Sequence, residues 1–554
     1  MSKEATRRWV WRCVRGLAWF VLAVILLIVC VREYVDWSGR RRWAAVQAAY
    51  AREGESLDFR SIMPDPVPDN RNFCAIPALK DLPLWKQSDE PGTPLALKIA
   101  RINAAALPDG IRGKAAQALL DGTFSHPVVG KVTEFNADDF TPPPRLATGA
   151  LLGQPVDMAA WAAWLRKDGT VPMPAPSGNP ARDIVVALAK NDPLIKDLAT
   201  GLNRPESQWT PPWKTRVLPE PYSVNFLPYQ FAIKKLQYML CLRATAAAHA
   251  GDTATADQSV LIALRLNQAE MEDPFLIGSL ISCANSSTIS NTVWELCDAK
   301  SGTDADFQRM QEQLERLDYQ KSFLFSVRSE VTVGVDLLGY LNKYGLLSDF
   351  LGGIDSFQNS SAGEKTYPTM VRVVPDGWYE ANTATIAQWY LDYYIKPLRD
   401  GGFKAMLPRQ QQLWTVLANK HSRPIYDQLD DLFALMAMPE VRGVAFRVIY
   451  TQSQINEAIA ACALERYRIE HGAYPASLQA ANHPGEKILP LDVISGKPMG
   501  YRRTPNGRYL LWCVALNNQD HGGTRVLDPA NPATTKFADP SYTGDWVWDF
   551  PPKH

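Results

Sequence analysis

The residues best placed for chemistry lie near the end of the chain. Asn517, Asp520 and Asp528 put three oxygen-donating side chains into one polar stretch, which includes Asn517-Asn518-Gln519-Asp520-His521-Gly522-Gly523. Side-chain oxygens completed by backbone carbonyls suit a hard cation. The same Asn, Asp and Gly residues also suit a plain turn, because they tolerate its backbone conformations. A second acidic set follows His421: Asp427, Asp430 and Asp431. A helix would bring Asp427 and Asp430 or Asp431 to one face. That face reads as solvated in preference to metal-binding. Glu465 and Glu470, beside Arg466 and Arg468, read as ordinary surface charges. Trp161 and Trp164 sit in a short helical run, Ala159 to Leu165. Such rings stack on glycans or peptides, and more often they anchor a core.

No HExxH, GxSxG, Walker A or GxGxxG motif occurs, and the seven histidines are scattered. No catalytic residue and no organic cofactor is assigned on this pattern. None of the eight cysteines forms a CxxC pair, which excludes zinc-ribbon and thioredoxin-like chemistry. Cys13 and Cys30 lie in or beside an apolar segment; the other six are either buried thiols or, in an exported body, disulfide partners. Lys plus Arg equals Asp plus Glu at 58 each. That balance lacks the basic footprint of a nucleic-acid partner.

The elements that must carry these residues begin with Gly16 to Val31, an uncharged apolar run between Arg15 and Arg32. As a helix it reaches ~24 Å, and Trp9, Val10 and Trp11 extend it toward a ~30 Å hydrocarbon core. Arg7, Arg8, Arg12 and Arg15 favour a cytoplasmic N-terminus. No small-x-small cleavage site follows, so the segment reads as an uncleaved signal anchor. Asp36 to Glu55 reads as a separate short polar helix. From there to about residue 219, helical runs alternate with proline clusters such as Pro142-Pro143-Pro144 and Pro211-Pro212. Tyr229 to Asp318 is strongly helical, with Leu236, Leu240, Ala244 and Ala247 on one face. Val260, Ala263, Leu264 and Asn267 mark the next helix, and Asp304 stands as the cap of a third. Ile354 to Lys365 reads as a loop.

A long helix then starts at Pro439, which suits a first helical position, and runs to His471, with Gly472 as its left-handed stop. Two strand-like runs follow, Met499 to Arg503 and Arg508 to Ala515, with Asn506-Gly507 between them as a hairpin tip. The order Ala463, Tyr467, Gly472-Ala473-Tyr474-Pro475, Asp492, Gly496, Pro498, Tyr501, Tyr509 and Asp520 to Gly523 resembles the C-terminal part of the major pseudopilin of type II secretion systems. The resemblance implies a long helix packed on an antiparallel β-hairpin, and calcium in the loop after it, at Asn517, Asp520 and Asp528. A pseudopilin joins its hydrophobic helix directly to this module. Here most of the chain lies between them, and no prepilin-peptidase signature precedes the apolar run. The module is therefore read as borrowed.

These readings combine into a mainly α protein. It has a cytoplasmic tip and transmembrane helix (1–35), a proline-rich helical and loop region (36–219), a helical body (220–438) and a small α+β pseudopilin-like module (439–554). The expected role is that of a membrane-anchored, extracytoplasmic (periplasmic) structural or protein-interaction protein with envelope protein partners, near an envelope secretion or assembly system. The alternatives are an envelope hydrolase whose site is assembled from distant residues, and a glycan- or peptide-binding protein using its Trp-rich loops.

Overall fold

The arrangement is that of a computed structural model. It describes residues 3–80, 144–146, 148–169, 171–209, 214, 227–344, 374–419, 430–527, 537–539 and 541–550. The expected loop 354–365, His421, Asp427, Asp528 and most of the two proline clusters fall outside these residues. In chain order the main elements are α1 (Lys3–Glu53), α2 (Met158–Asp168), α3 (Leu227–Ala250), α4 (Thr253–Glu270), α5 (Leu276–Ala299), α6 (Asp304–Leu314), α7 (Tyr319–Tyr344), α8 (Asp376–Tyr390), α9 (Lys396–Ala418) and α10 (Leu432–His471). The strands β1 (Gly500–Arg503), β2 (Tyr509–Val514) and β3 (Asp545–Asp549) follow. The described chain is thus mainly helical, as expected, with strands only after Pro498. It divides into two compact units, 1–59 with 330–396 and 411–440, and 60–329 with 397–410 and 441–554.

The first unit is organised by α1. The sequence suggests a break between the apolar run and the polar segment after it, but α1 is one helix of 51 residues. At ~1.5 Å per residue it reaches roughly 75 Å. Its apolar part is long and apolar enough to cross a membrane, and none of it is buried. The character changes at Asp36, which is buried. From there Gly39, Val46 and Tyr50 also turn inward, at spacings that trace one helix face. That face packs along α8 in parallel. Asp36 Oδ1 accepts a hydrogen bond from Gly377 N at 2.7 Å, and Tyr50 Oη donates to Ala387 O at 2.8 Å. The two backbones meet at a glycine pair: a Cβ on Gly39 would lie 1.9 Å from Gly377 O. Lys396 closes the far end on Glu53 at 2.8 Å.

The second unit contains the helical body. The faces read from the sequence are all buried: Leu236, Leu240, Ala244 and Ala247 on α3, and Val260, Ala263, Leu264 and Asn267 on α4. Asp252, at the turn between the two helices, caps α4 by accepting from Thr255 N. At α6 the cap is Thr303, not Asp304. Thr303 accepts from Asp306 N, and Asp306 accepts from Thr303 N in return, so two orphan amides are satisfied at once.

The tail completes this unit. α10 begins at Leu432, about two turns before Pro439, so Pro439 lies inside a helix. It ends at His471, with Gly472 at φ 77 and its N–H donating to Arg468 O. β1 and β2 pair antiparallel with Arg503 opposite Tyr509. Gly507 N donates to Thr504 O at the tip, and Gly507 has φ 75. Ile459, Cys462, Leu511 and Cys513 are all buried. β3 was not anticipated. It pairs antiparallel with β2 on the other side, so β2 is the central strand. Trp294 of α5 donates its indole N–H to Asp549 O and stacks on Phe550, seating the sheet on the body. The open edge, β1, carries the exposed Arg502 and Arg503, which discourage pairing with another chain.

Candidate functional site

In the first unit, α1 helps build a groove of about 730 Å³. Its walls are Arg42, Ala45 and Val46 of α1, Ala384, Thr385, Gln388 and Trp389 of α8, and Thr415 and Val416 of α9, with Tyr393, Asn419 and Asp431. Arg42, Ala45 and Val46 share a face because they are three and four residues apart. The parallel docking of α1 on α8, through Gly39 and Gly377, sets the distance between the first two walls. Trp389 and Tyr393 meet edge to face, with centroids 6.3 Å apart. Both acidic groups at the groove are engaged. Asp430 pairs with Arg42 at 2.7 Å, and Asp431, which is buried, accepts from Thr385 Oγ1 at 3.1 Å. The lining is aromatic and aliphatic, with Arg42, Asp431 and neutral polar groups among it, and is suited to holding a ligand. The groove was not legible in the sequence, because its walls come from segments more than three hundred residues apart.

The loop after the hairpin is held by its own hydrogen bonds. Asn517 Oδ1 accepts from Gln519 N, and its amide meets His521 Nε2 at 3.1 Å. Asp520 Oδ1 accepts from Gly522 N at 2.8 Å and from Trp512 Nε1 at 3.0 Å. These two bonds, the backbone one first, hold its carboxyl below the ordinary range. Asp545 receives the amides of His521 and Gly523 and pins the loop to β3. Of the three expected cation ligands, Asn517 and Asp520 are thus placed in this turn, and Asp528 lies outside the described residues. Among the described residues, no group of three or more His, Cys, Asp or Glu side chains is arranged to hold a metal ion.

Two sets escaped sequence reading. Glu465 and Arg466 are buried, not surface charges. Glu465 accepts from Tyr474 Oη and from Arg468 Nε at 2.7 Å, while Arg508 reaches Asp298 and the Tyr474 oxygen. Burial raises the Glu465 carboxyl above its ordinary range even with Arg468 beside it. Glu470, one turn on, remains exposed. Asp492, already named in the residue order of the tail, is the second, for the hydrogen bonds it makes. Its Oδ1 takes Ile494 N and Ser495 N, and its Oδ2 takes Val514 N at 2.6 Å, so one carboxylate folds its own turn and fastens it to β2. Tyr501 Oη donates to Pro475 O at 2.8 Å. Tyr474, Asp492 and Tyr501 therefore hold the tail together.

The remaining candidates are structural. Trp161 is buried against Tyr238 and Trp164. His249 Nε2 contacts Glu295 Oε2 at 2.7 Å, and Glu295 Oε1 accepts from Val156 N. Among the described residues no hydroxyl or thiol hydrogen-bonds His249. Cys74, Cys241, Cys283, Cys297, Cys462 and Cys513 are buried free thiols. No family model matches the chain, and neither the curated proteins nor the solved structures give a match.

Proposed function

We propose that the protein is a single-pass, membrane-anchored structural or interaction protein, with its N-terminus in the cytoplasm and its body on the extracytoplasmic side, serving an envelope secretion or assembly system. The observation that carries this reading is α1. One unbroken helix passes from a fully exposed apolar stretch into a buried, hydrogen-bonded position in the first unit. A tether would need no such continuity; a helix that fixes a body at a set height above a bilayer does. The resemblance of the tail to a pseudopilin supports the assembly setting. The groove beside α1, with Ala45, Val46, Trp389 and Tyr393 in its walls, supports an interaction role. The glycan- or peptide-binding alternative draws on Trp389 and Tyr393 in the same groove.

The test is a photo-crosslinking residue placed at Gln388 of the full chain in intact cells. The expected product is a discrete adduct with an envelope protein, lost when Ala384→Trp fills the groove. A glycan adduct, or no adduct, would overturn the interaction reading.

A further inference from the structure

The helices of the body bury many polar side chains among the apolar ones. On α5 alone, Ser279, Ser282, Asn285, Ser286, Ser290 and Asn291 are buried. At the centre of this interior is Glu270, the last residue of α4 and 2% exposed. We propose that Glu270 is a proton site: its carboxyl group is neutral when α3, α4 and α5 are packed, and loss of that proton destabilises their packing.

The geometry of its hydrogen bonds carries the inference. Gln237 Nε2 of α3, at 3.1 Å, and Asn285 Nδ2 of α5, at 2.6 Å, both donate to the same oxygen, Oε2. The other oxygen, Oε1, is buried and has no hydrogen-bond partner. An ionised carboxylate spreads its charge over both oxygens and accepts at both; a neutral carboxyl has one carbonyl oxygen that accepts and one hydroxyl that donates. Two donors meet Oε2 and none meets Oε1, and a neutral hydroxyl left unpaired at Oε1 costs less than a share of negative charge left unpaired there, which favours the neutral form. The neighbours point the same way. Gln237 Oε1 and Asn267 Oδ1, the latter one turn earlier on α4, are also buried oxygens without a donor. A carboxylate charge beside these oxygens would be uncompensated and costly.

The charged groups around it are Asp273, in the loop after α4, and Lys234, on α3. α5 presents the neutral Asn285 and Ser286, and α7 presents Tyr319, whose hydroxyl takes the Asn267 amide. Burial is the largest influence and pushes the carboxyl up to about 8, against the hydrogen bonds from Asn285 and Gln237. The folded value therefore lies above the ordinary value of 4.5. A raised group gives stability that is fully present below the ordinary value and is lost as pH rises to the folded one.

The experiment is denaturant unfolding of the full chain in detergent across that pH window, followed by helical circular dichroism, for the native protein and Glu270→Gln. The native unfolding constant should rise more steeply with pH than that of the variant, by about tenfold per pH unit, the signature of one proton. Equal slopes would overturn the proposal. Lys234→Ala, at an exposed position, decides the matter should Glu270→Gln fail to fold. Removing that cation should move the loss of stability to higher pH, and an unmoved profile would contradict the assignment.

Discussion

Tyr474 shows how much one side chain decides in the tail. Pro475 biases it away from helical angles, which turns the chain after α10. Its hydroxyl then donates to Glu465, a carboxylate with no exposure of its own. Tyr474→Phe keeps the ring and its edge contact with Tyr509 and removes the donor to Glu465 together with the long contact from Arg508. Leaving a buried acceptor short of a partner costs about 1–3 kcal/mol. Denaturant unfolding should show the tail weakened by that order. An unchanged midpoint would mean that Arg468 alone satisfies Glu465. The tyrosine-proline turn was visible in the sequence because its backbone logic is local. The burial of Glu465 was not, because the partners that make it tolerable, Tyr474 and the Arg508 cluster, return from later in the chain.

Elements declared themselves when their signals were local. The hairpin followed from Asn506-Gly507 between alternating runs, and Gly507 does take φ 75. Gly507→Val should destabilise the tail by about 1–3 kcal/mol, since a β-branched residue is strained there; a variant as stable as the native protein would show that the tip can rearrange. Pro439 misled for an instructive reason. Proline inside a helix costs about 3 kcal/mol, so the sequence favours a helix that starts there. Burial of Phe433, Ala434, Met438, Val441 and Val444 on both sides of it outweighs that cost. β3 went unseen because Asp545 to Trp548 is buried on both faces, which leaves no polar–apolar alternation to read, and the strand pairs with a β2 about thirty residues earlier. The docking of α1 was equally invisible, since a glycine pair announces nothing until the two backbones meet. Gly39→Val places a side chain on Gly377 O and should cost about 1–3 kcal/mol by overpacking. Gly16→Val, in the exposed apolar stretch with nothing within 4 Å, should leave the melting temperature unchanged. Equal effects of the two would contradict the docking.

At the scale of the whole molecule, the mainly helical class and the apolar N-terminal helix were legible from periodicity and composition. The division into two units was not, because each gathers segments from distant parts of the chain. The proposed function makes α1 an uncleaved anchor that leads an exported body out of the membrane. The direct measurement is the partition of alkaline phosphatase activity in cells producing the full chain with the enzyme fused at its C-terminus, since phosphatase is active only outside the cytoplasm. The account predicts activity that stays with the membrane pellet after an alkaline wash. Activity in the soluble fraction, or no activity in cells that contain the fusion, would contradict it.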